Sequence, residues 1–569
     1  MTDKHLFSSQ ASEQSPLLSS PDRHHDGSDK KTSRASRVRE LALFVWALVA
    51  TALVIVLAVW VQHNNQTRQK PVTPNAKRNL VFMVSDGMGP ASLSMTRSFR
   101  QHIQGLPIDD TLVLDQHFWG TSRTRSTSQL VTDSAAGATA FSCAKKSYNG
   151  AIAVLDGHEP CGTVLEAAKR AGYITGLVVT TDITDATPAC FASHALDRSL
   201  EDSIALQEVG EGVLGRTVDL MLGGGRCHFL PNTTKGSCRA DDVDVTKIAQ
   251  EKHDWTYTDN RAGFDALKGG EKVQLPMFGL FAPTDIPFEI DRRNHNDVFP
   301  SLSEMAKTAL RALEKATEKS DKGFFIMIEG SRIDHAGHYN DPAAQVHEVL
   351  EYDKTFKAVL DFIDNSDTET VLVATSDHET GGLDTAIQKP GHLPTYNWYP
   401  RRLANATASA EWLSHKLHLH LASVANTEAA TKDKLKTWVN EELVIPGLGI
   451  ADASETELLR VVENTDDALH AFADMISFRA HIGWSTHGHT AVDVNIYSSG
   501  GHGTEKIRGN VENTDVGKFL HEYLDVDVDA ITSELKEKVK LVKPDDEAVA
   551  VAKAARIGAS GYDFHASDI

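Results

Sequence analysis

From residue 79 onward, short apolar runs rich in β-branched residues alternate with longer amphipathic stretches. Strands buried on both faces read as continuous apolar runs, and helices that cover them carry a single apolar stripe, so this alternation restricts the chain to very few architectures. The clearest runs span 80–84, 174–180, 324–328 and 371–375, and helical patterns span 161–171, 301–315 and 342–363. They predict an α/β body with a central, mostly parallel sheet flanked by helices on both faces. At 569 residues the chain is long enough for a large core. Residues 79–543 are assigned to this body. Within it the chain turns more irregular and polar at 382–480, which reads as an insertion, and 544–569 reads as a peripheral tail.

The segment 41–61 is apolar throughout apart from Thr51 and matches the thickness of a bilayer's hydrocarbon core. It predicts one transmembrane helix. A cleaved signal peptide fits less well, because a long polar tail precedes the run and no small-residue cleavage site closes it. Lys30, Lys31, Arg34, Arg37 and Arg39 crowd its N-terminal flank, against Arg68 and Lys70 beyond it, which predicts a cytosolic N-terminus and a lumenal body. Residues 1–40 have the composition of a disordered tail, and 62–78, with Pro71 and Pro74, that of a linker. Within the tail, Glu13-Gln-Ser-Pro-Leu17-Leu18 resembles an acidic dileucine signal read by sorting adaptors, although two leucines in a random tail would look the same. Asn-x-Thr sequons at Asn65, Asn232 and Asn405 all fall on the lumenal side. So do the five cysteines, of which Cys227 and Cys238 bracket a loop-like stretch and are the preferred disulfide pair. An odd count leaves at least one thiol free. Lys and Arg number 57 against 78 Asp and Glu, a net charge of -21, which is the wrong sign for a nucleic-acid-binding body.

Several apolar runs end in groups suited to metals or anions, and in parallel sheets ligands collect outside the carboxyl ends of the strands. The run 80–84 leads into Ser85-Asp86-Gly87-Met88-Gly89, and 324–328 leads into Glu329-Gly-Ser-Arg-Ile-Asp334-His335-Ala-Gly-His338. Asp334 and His338 are four apart, one helical turn, and supply oxygen and nitrogen donors suited to Zn²⁺. The run 371–375 leads into Ser376-Asp377-His378-Glu379, and Trp484-Ser-Thr-His487-Gly-His489 follows later. In Thr132-Asp133-Ser134-Ala-Ala, Asp133 or Thr132 caps a helix and leaves Ser134 at its N-terminus, where backbone N–H groups and the helix dipole favour an alkoxide and a bound phosphate.

Taken in order, these motifs, with Asp185-Ala-Thr-Pro-Ala and His487-Gly-His, resemble the alkaline phosphatase family, most of all its fungal vacuolar membrane members. The resemblance implies phosphate monoester hydrolysis with two Zn²⁺ and one Mg²⁺ per subunit, through a phosphoserine at Ser134. It implies a first zinc held by Asp334, His338 and His489, and a second by Asp86, Asp377 and His378. Magnesium would take Asp86, Thr187 and Glu329, with Asp185 orienting a magnesium-bound water. Arg198 would grip two phosphate oxygens as a fork. With its ions the pocket would carry roughly +2 despite the acidic chain. Where bacterial members carry Lys beside the zinc-ligating Asp, this chain has His335, which alters a contact around the phosphate. The choice of His489 over His487 rests on the strand that follows it. The resemblance further implies broad specificity for small phosphate monoesters, a homodimer, and a single-pass vacuolar membrane protein anchored in the bilayer through 41–61.

Sulfatases of the same superfamily need a Cys-x-Pro-x-Arg site, which none of the cysteines begins. Phosphodiesterases usually carry a threonine nucleophile and lack the magnesium ligands present here. A catalytically inactive, membrane-anchored binding protein would be missing at least one ligand, and none is missing.

Overall fold

In a computed structural model the described residues are 34–68, 77–388, 391–424 and 431–538. The Glu13–Leu18 signal and the tail 544–569 lie outside them. Two units separate at Pro71. The N-terminal unit contains a helix, Arg34–Arg68, whose stretch Arg37–Trp60 is long and apolar enough to cross a membrane, with mean hydropathy 2.8 and none of it buried in the protein. Exposed Leu41, Phe44, Trp46, Ile55 and Trp60 give it no polar face, as a hydrocarbon solvent requires. The helix overruns both expected boundaries, including 34–40 of the tail and 62–68 of the linker, because extending a nucleated helix adds one hydrogen bond per residue fixed.

The second unit is built on a ten-stranded sheet. In chain order its strands are β1 (Arg78–Val84), β2 (Phe118–Arg123), β3 (Ile174–Asp182), β4 (Leu220–Gly224), β5 (Thr256–Thr258), β6 (Met277–Leu280), β7 (Phe324–Glu329) and β8 (Glu369–Thr375). Two-residue strands follow, β9 (Glu379–Thr380), β10 (Asp384–Thr385), β11 (Ile482–Gly483) and β12 (His489–Thr490), before β13 (Val494–Ser498) and β14 (Gly509–Glu512). The spatial order is β14-β2-β13-β8-β1-β7-β3-β4-β6-β5, with β9 paired to β12 and β10 to β11 outside it. Within the large sheet only β13 runs against its neighbours. The mostly parallel α/β architecture read from the alternating pattern is therefore the observed one.

Side-chain alternation along the strands explains why both faces are covered. Leu80, Phe82 and Val84 enter one hydrophobic cluster while Val81 and Met83 enter the other. Phe325 and Met327 likewise oppose Phe324, Ile326 and Ile328. Covering helices start at side-chain caps. Ser301 and Glu304 form a capping box for Leu302–Thr317, and Asp341 caps Pro342–Asn365. The helix expected from residue 161 begins at Val164, because Thr163 accepts from Glu166 N and sets its start.

The segment 382–480 is more regular than its sequence suggests. It contains the helices Pro400–Ala404, Ala410–Val424, Lys432–Trp438, Glu455–Glu463 and Ala468–Ala480. Trp412, Leu413, Leu443, Phe472 and Met475 form a third core there, joined to the body through Met95, Phe99 and Phe288. Cys227 and Cys238 are bonded, as are Cys143 and Cys161, and Cys190 is a buried free thiol. Asn232 and Asn405 are exposed, and Asn65 lies in the N-terminal helix.

Candidate active site

Strand register assembles the site. Val84 is level with both Glu329 and Thr375 across β7 and β8. The chains leaving these three adjacent strands therefore deliver Asp86, Glu329 and Asp377 to one rim. Gly87 turns the chain beyond β1 with φ 73°, and a Cβ there would lie 2.5 Å from the Asp334 Cα, so only glycine lets the turn meet the helix Arg332–His338. That helix follows β7 and presents Asp334 and His338 one turn apart. The β9–β12 pair carries His489 in from the far end of the chain.

Two donor groups form around His378. Asp86, Asp377 and His378 make one, and Asp334, His378 and His489 make the other, with ligand atoms in each within 4.8 Å of one another. The His378 Nε2 lies 3.2 Å from Asp377 Oδ2 and 3.5 Å from Asp86 Oδ1. The His338 Nε2 lies 3.2 Å from Asp334 Oδ2 and 3.0 Å from the His489 Nε2. Backbone carbonyls fix these rings from behind. The His489 Nδ1 meets the Thr132 carbonyl at 2.8 Å and the His338 Nδ1 meets that of His487 at 2.5 Å, so both Nε2 atoms face the cluster. His487 itself is exposed, with its Nδ1 on the His338 carbonyl.

Ser134 opens the helix Ser134–Ser142, capped by Asp133, whose side chain accepts from Ala136 N. Its Oγ lies 3.1 Å from the His378 Nε2. Asp185 occupies the N-cap of Ala186–Ala192 without capping it. Its carboxylate instead takes Arg198 Nη2 at 2.8 Å, while Asp133 Oδ2 stands 3.7 Å from Arg198 Nη1. Thr187 is buried on that helix, and its side chain faces Glu329. His335 is held at its Nδ1 by Asp285, 3.0 Å away. Asp86, Asp334, His338, Asp377, His378, His489 and Ser134 are thus brought together, with the Asp185–Arg198 pair joined to Asp133 at the start of the Ser134 helix.

Burial pushes Asp86 well above the usual carboxylate range, helped by the charges of Asp377, Asp334 and Glu329. Burial also raises Glu329 to about 8 and Asp377 to about 7. Asp334 goes the other way: burial alone would raise it, but the imidazoles of His338, His489 and His378 hold it well below its ordinary value. Burial and the neighbouring His489 depress His378. Asp86 Oδ1 and Asp377 Oδ2 are buried without a hydrogen bond. Clustered carboxylates that repel one another, with unsatisfied oxygens and imidazole nitrogens turned inward, fit divalent cations of the Zn²⁺ and Mg²⁺ kind. Asp334, His338 and His489 would hold one; Asp86, Asp377 and His378 a second; Asp86, Thr187 and Glu329 a third.

Some supporting residues were not foreseen. Thr380 Oγ1 donates to Asp334 Oδ1 and lies 3.2 Å from the His378 Nδ1, and Ser331 donates to Glu329 Oε2 at 2.6 Å. Ser331 lies inside a motif already singled out and Thr380 directly follows one, both as hydroxyls beside metal-ligand candidates, so the signal was present. Asp285 had none, since it comes from an otherwise unremarked loop.

A family model for alkaline phosphatase matches residues 77–526. The chain is 53% identical over 480 residues to the repressible alkaline phosphatase of Saccharomyces cerevisiae, covering 81% of this chain and 84% of that one. To an alkaline phosphatase of Schizosaccharomyces pombe it is 44% identical over 532 residues, covering 93% and 94% respectively. The crystal structure of Thermus thermophilus alkaline phosphatase superposes with TM-score 0.65 at 26% identity, covering 83% of this chain and 98% of that one. The chain belongs to the alkaline phosphatase family.

Proposed function

We propose that this chain hydrolyses small phosphate monoesters through Ser134, with two Zn²⁺ and one Mg²⁺ resident in its rim cluster. The observation that carries the reading is the His378 Nε2, which lies close to Ser134 Oγ, Asp377 Oδ2 and Asp86 Oδ1 together. A serine–histidine dyad alone leaves two carboxylates crowded on the same nitrogen, whereas divalent cations satisfy all of them. Bound, such ions polarise phosphoryl oxygens and lower the pKa of a hydroxyl or water.

In this reading Arg198 holds two phosphoryl oxygens as a planar fork, positioned by Asp185 and Asp133. Ser134 Oγ attacks phosphorus in line and expels the alcohol as it takes up a proton, leaving a phosphoserine. Water then cleaves the phosphorus–Oγ bond, releasing inorganic phosphate and restoring the Ser134 hydroxyl. The helix N-terminus at Ser134 favours the developing negative charge in both steps. Because the grip is on the phosphoryl group, the alcohol portion is left unread and specificity is broad.

Cellular placement is part of the same reading: a type II protein of the vacuolar membrane, its body lumenal, glycosylated at Asn65, Asn232 and Asn405 and dimeric, with 13–18 available to a sorting adaptor. The polarity of charge around the N-terminal helix and the similarity to fungal relatives support it. The deciding assay is hydrolysis of an aryl phosphate by the purified protein, with and without a chelator. Activity is expected to vanish on chelation and in Ser134→Ala, and labelled phosphate to be trapped on the wild-type chain alone. Activity that survives either treatment would sink the mechanism.

A further inference from the structure

A second ligand cluster lies beside this site and plays no part in it. Asp182 ends β3, Glu201 begins the helix Glu201–Leu206, and His228 sits in the turn Arg226–Phe229 after β4. Their donor atoms lie within 4.8 Å of one another. The His228 Nε2 is 3.0 Å from Glu201 Oε2 and 3.7 Å from Asp182 Oδ2. On the opposite edge of the ring, the His228 Nδ1 faces Asp202 Oδ1 at 3.3 Å. This is the arrangement of a histidine ligand whose far nitrogen is fixed by a carboxylate, leaving the Nε2 lone pair for an ion.

The surroundings are rigid. The disulfide Cys227–Cys238 brackets His228. Arg239, fully buried at its side chain, donates to the carbonyls of both Asp202 and His228, at 2.9 and 3.0 Å. Ala240 N holds Asp202 Oδ2 at 2.9 Å, and Thr184 donates to Glu201 Oε2 at 2.8 Å.

An imidazolium ion pair alone does not account for the cluster, and the reason is Glu208. This residue is fully buried, and neither of its carboxylate oxygens has a hydrogen-bond partner. Besides burial, the charges that act on it are Glu201 and His228, so its carboxylate is in the neighbourhood of the same group. Protonating Glu208 would remove its charge but leave an O–H without an acceptor, so neither protonation state is satisfied by the protein. Asp182 Oδ1 is also buried without a partner. His228 thus stands among Asp182, Glu201 and Glu208, and both Asp182 and Glu208 keep unsatisfied oxygens.

We propose that Asp182, Glu201 and His228 form a fourth divalent-cation site, with Glu208 accepting from a water of the ion's shell and Asp202 orienting His228. Two carboxylates and an imidazole suit an ion of the Mn²⁺ or Zn²⁺ kind rather than Ca²⁺, which favours oxygen-only shells. The site is separate from the catalytic cluster and is tied to it by the turn 182–185, in which Asp185 N donates to the Asp182 carbonyl at 3.0 Å. It shares no ligand with the catalytic ions, and because its ligands come from β3, the turn after β4 and the helix Glu201–Leu206, a bound ion would cross-link those three segments.

Metal analysis of the purified full chain tests this. Elemental content of the wild type is expected to exceed that of His228→Asn and of Glu201→Gln by one divalent ion per chain, while both variants keep their hydrolysis of an aryl phosphate. Should the variants carry the same ion count as the wild type, the site does not exist. A titration independent of how those variants fold uses Asp86→Asn/Asp377→Asn, whose catalytic cluster is crippled, with Mn²⁺ followed by electron paramagnetic resonance. Saturable binding is expected, weakened about 10- to 100-fold by adding Asp202→Asn. Binding that is absent, or indifferent to Asp202, overturns the proposal. Failure of the phosphatase reading would instead show as missing turnover, and would leave the ion difference untouched.

Discussion

Gly137 lies one turn into the helix that carries Ser134, where the helix passes against the chain leaving β8. A Cβ added there would stand 2.9 Å from the Asp377 Cβ and 3.6 Å from its Cα. Carbon atoms settle at about 3.5–4.0 Å, so Gly137→Ala forces the helix back by about 0.6–1.1 Å. Alanine is worth up to about 1 kcal/mol over glycine in a helix, while overpacking a filled core costs about 1–3 kcal/mol. The net effect on stability is therefore small, roughly 0–2 kcal/mol of loss. The effect on chemistry is larger, because Ser134 Oγ is moved relative to His378 and Asp377. A misplacement near 1 Å costs about 100-fold in rate. Arg198 sits on a different segment, so the loss should fall on kcat and spare KM. Steady-state hydrolysis of an aryl phosphate, with a urea unfolding curve for the same preparation, separates the two effects. Gly157→Ala, at an exposed turn whose new Cβ would meet only the Glu159 side chain at 3.9 Å, is the control. Gly137→Ala with wild-type kcat would refute the claim that this close approach positions the nucleophile.

Arg332, 1% exposed, pairs with Glu411 at 2.8 Å and Asp285 at 3.5 Å and lies over the Phe288 ring. Arg332→Met removes the guanidinium from the part-buried Glu411, while Asp285 keeps His335, and should cost about 1.5–3 kcal/mol in urea unfolding. Burial pushes the Cys190 thiol up to about 12, so a thiol reagent at pH 8 should label the native protein negligibly and one thiol per chain after unfolding. Arg261 overcomes burial to hold Glu304 down to about 2, and hydrogen bonds from Arg479 hold Glu457 to about 2. Both folded values lie below the unfolded value near 4.5, so their contribution is complete above that pH and is lost as pH falls toward 2. Melting temperature should decline across that window, and less steeply in Glu457→Gln.

What the sequence disclosed depended on how local each signal was. Runs such as 80–84 and 324–328 stand out because strands covered on both faces have no polar side, and the groups that follow them sit at strand ends by chain order alone. The donor pair Asp334 and His338 was legible because one helical turn relates them. The 382–480 segment was harder, since its helices are short and lean on one another. Trp412, Leu413 and Leu417 are buried on one helix that also buries Ser414 and His415, which blurs the apolar stripe. Nothing in the chain around Asp285 connects it to His335, fifty positions on, because only the fold makes them neighbours.

The same distinction explains why the acidic rim is tolerable. Asp86, Glu329 and Asp377 are each at most 5% exposed, yet strand register forces them together beside Asp334. Separately, each could have been turned outward by a small loop adjustment. Register removes that freedom, because Val84, Glu329 and Thr375 are level across three adjacent strands and a slip of one residue would exchange the two buried faces of a strand. The apolar alternation that stabilises the sheet thereby fixes the spacing of its carboxylates, and under the proposed function neutralising them falls to divalent cations. A strand-end rim with a surplus of buried negative charge is thus a consequence of how the core packs, and under the proposed function it is divalent ions held by that surplus that would suit the rim to a dianionic phosphate.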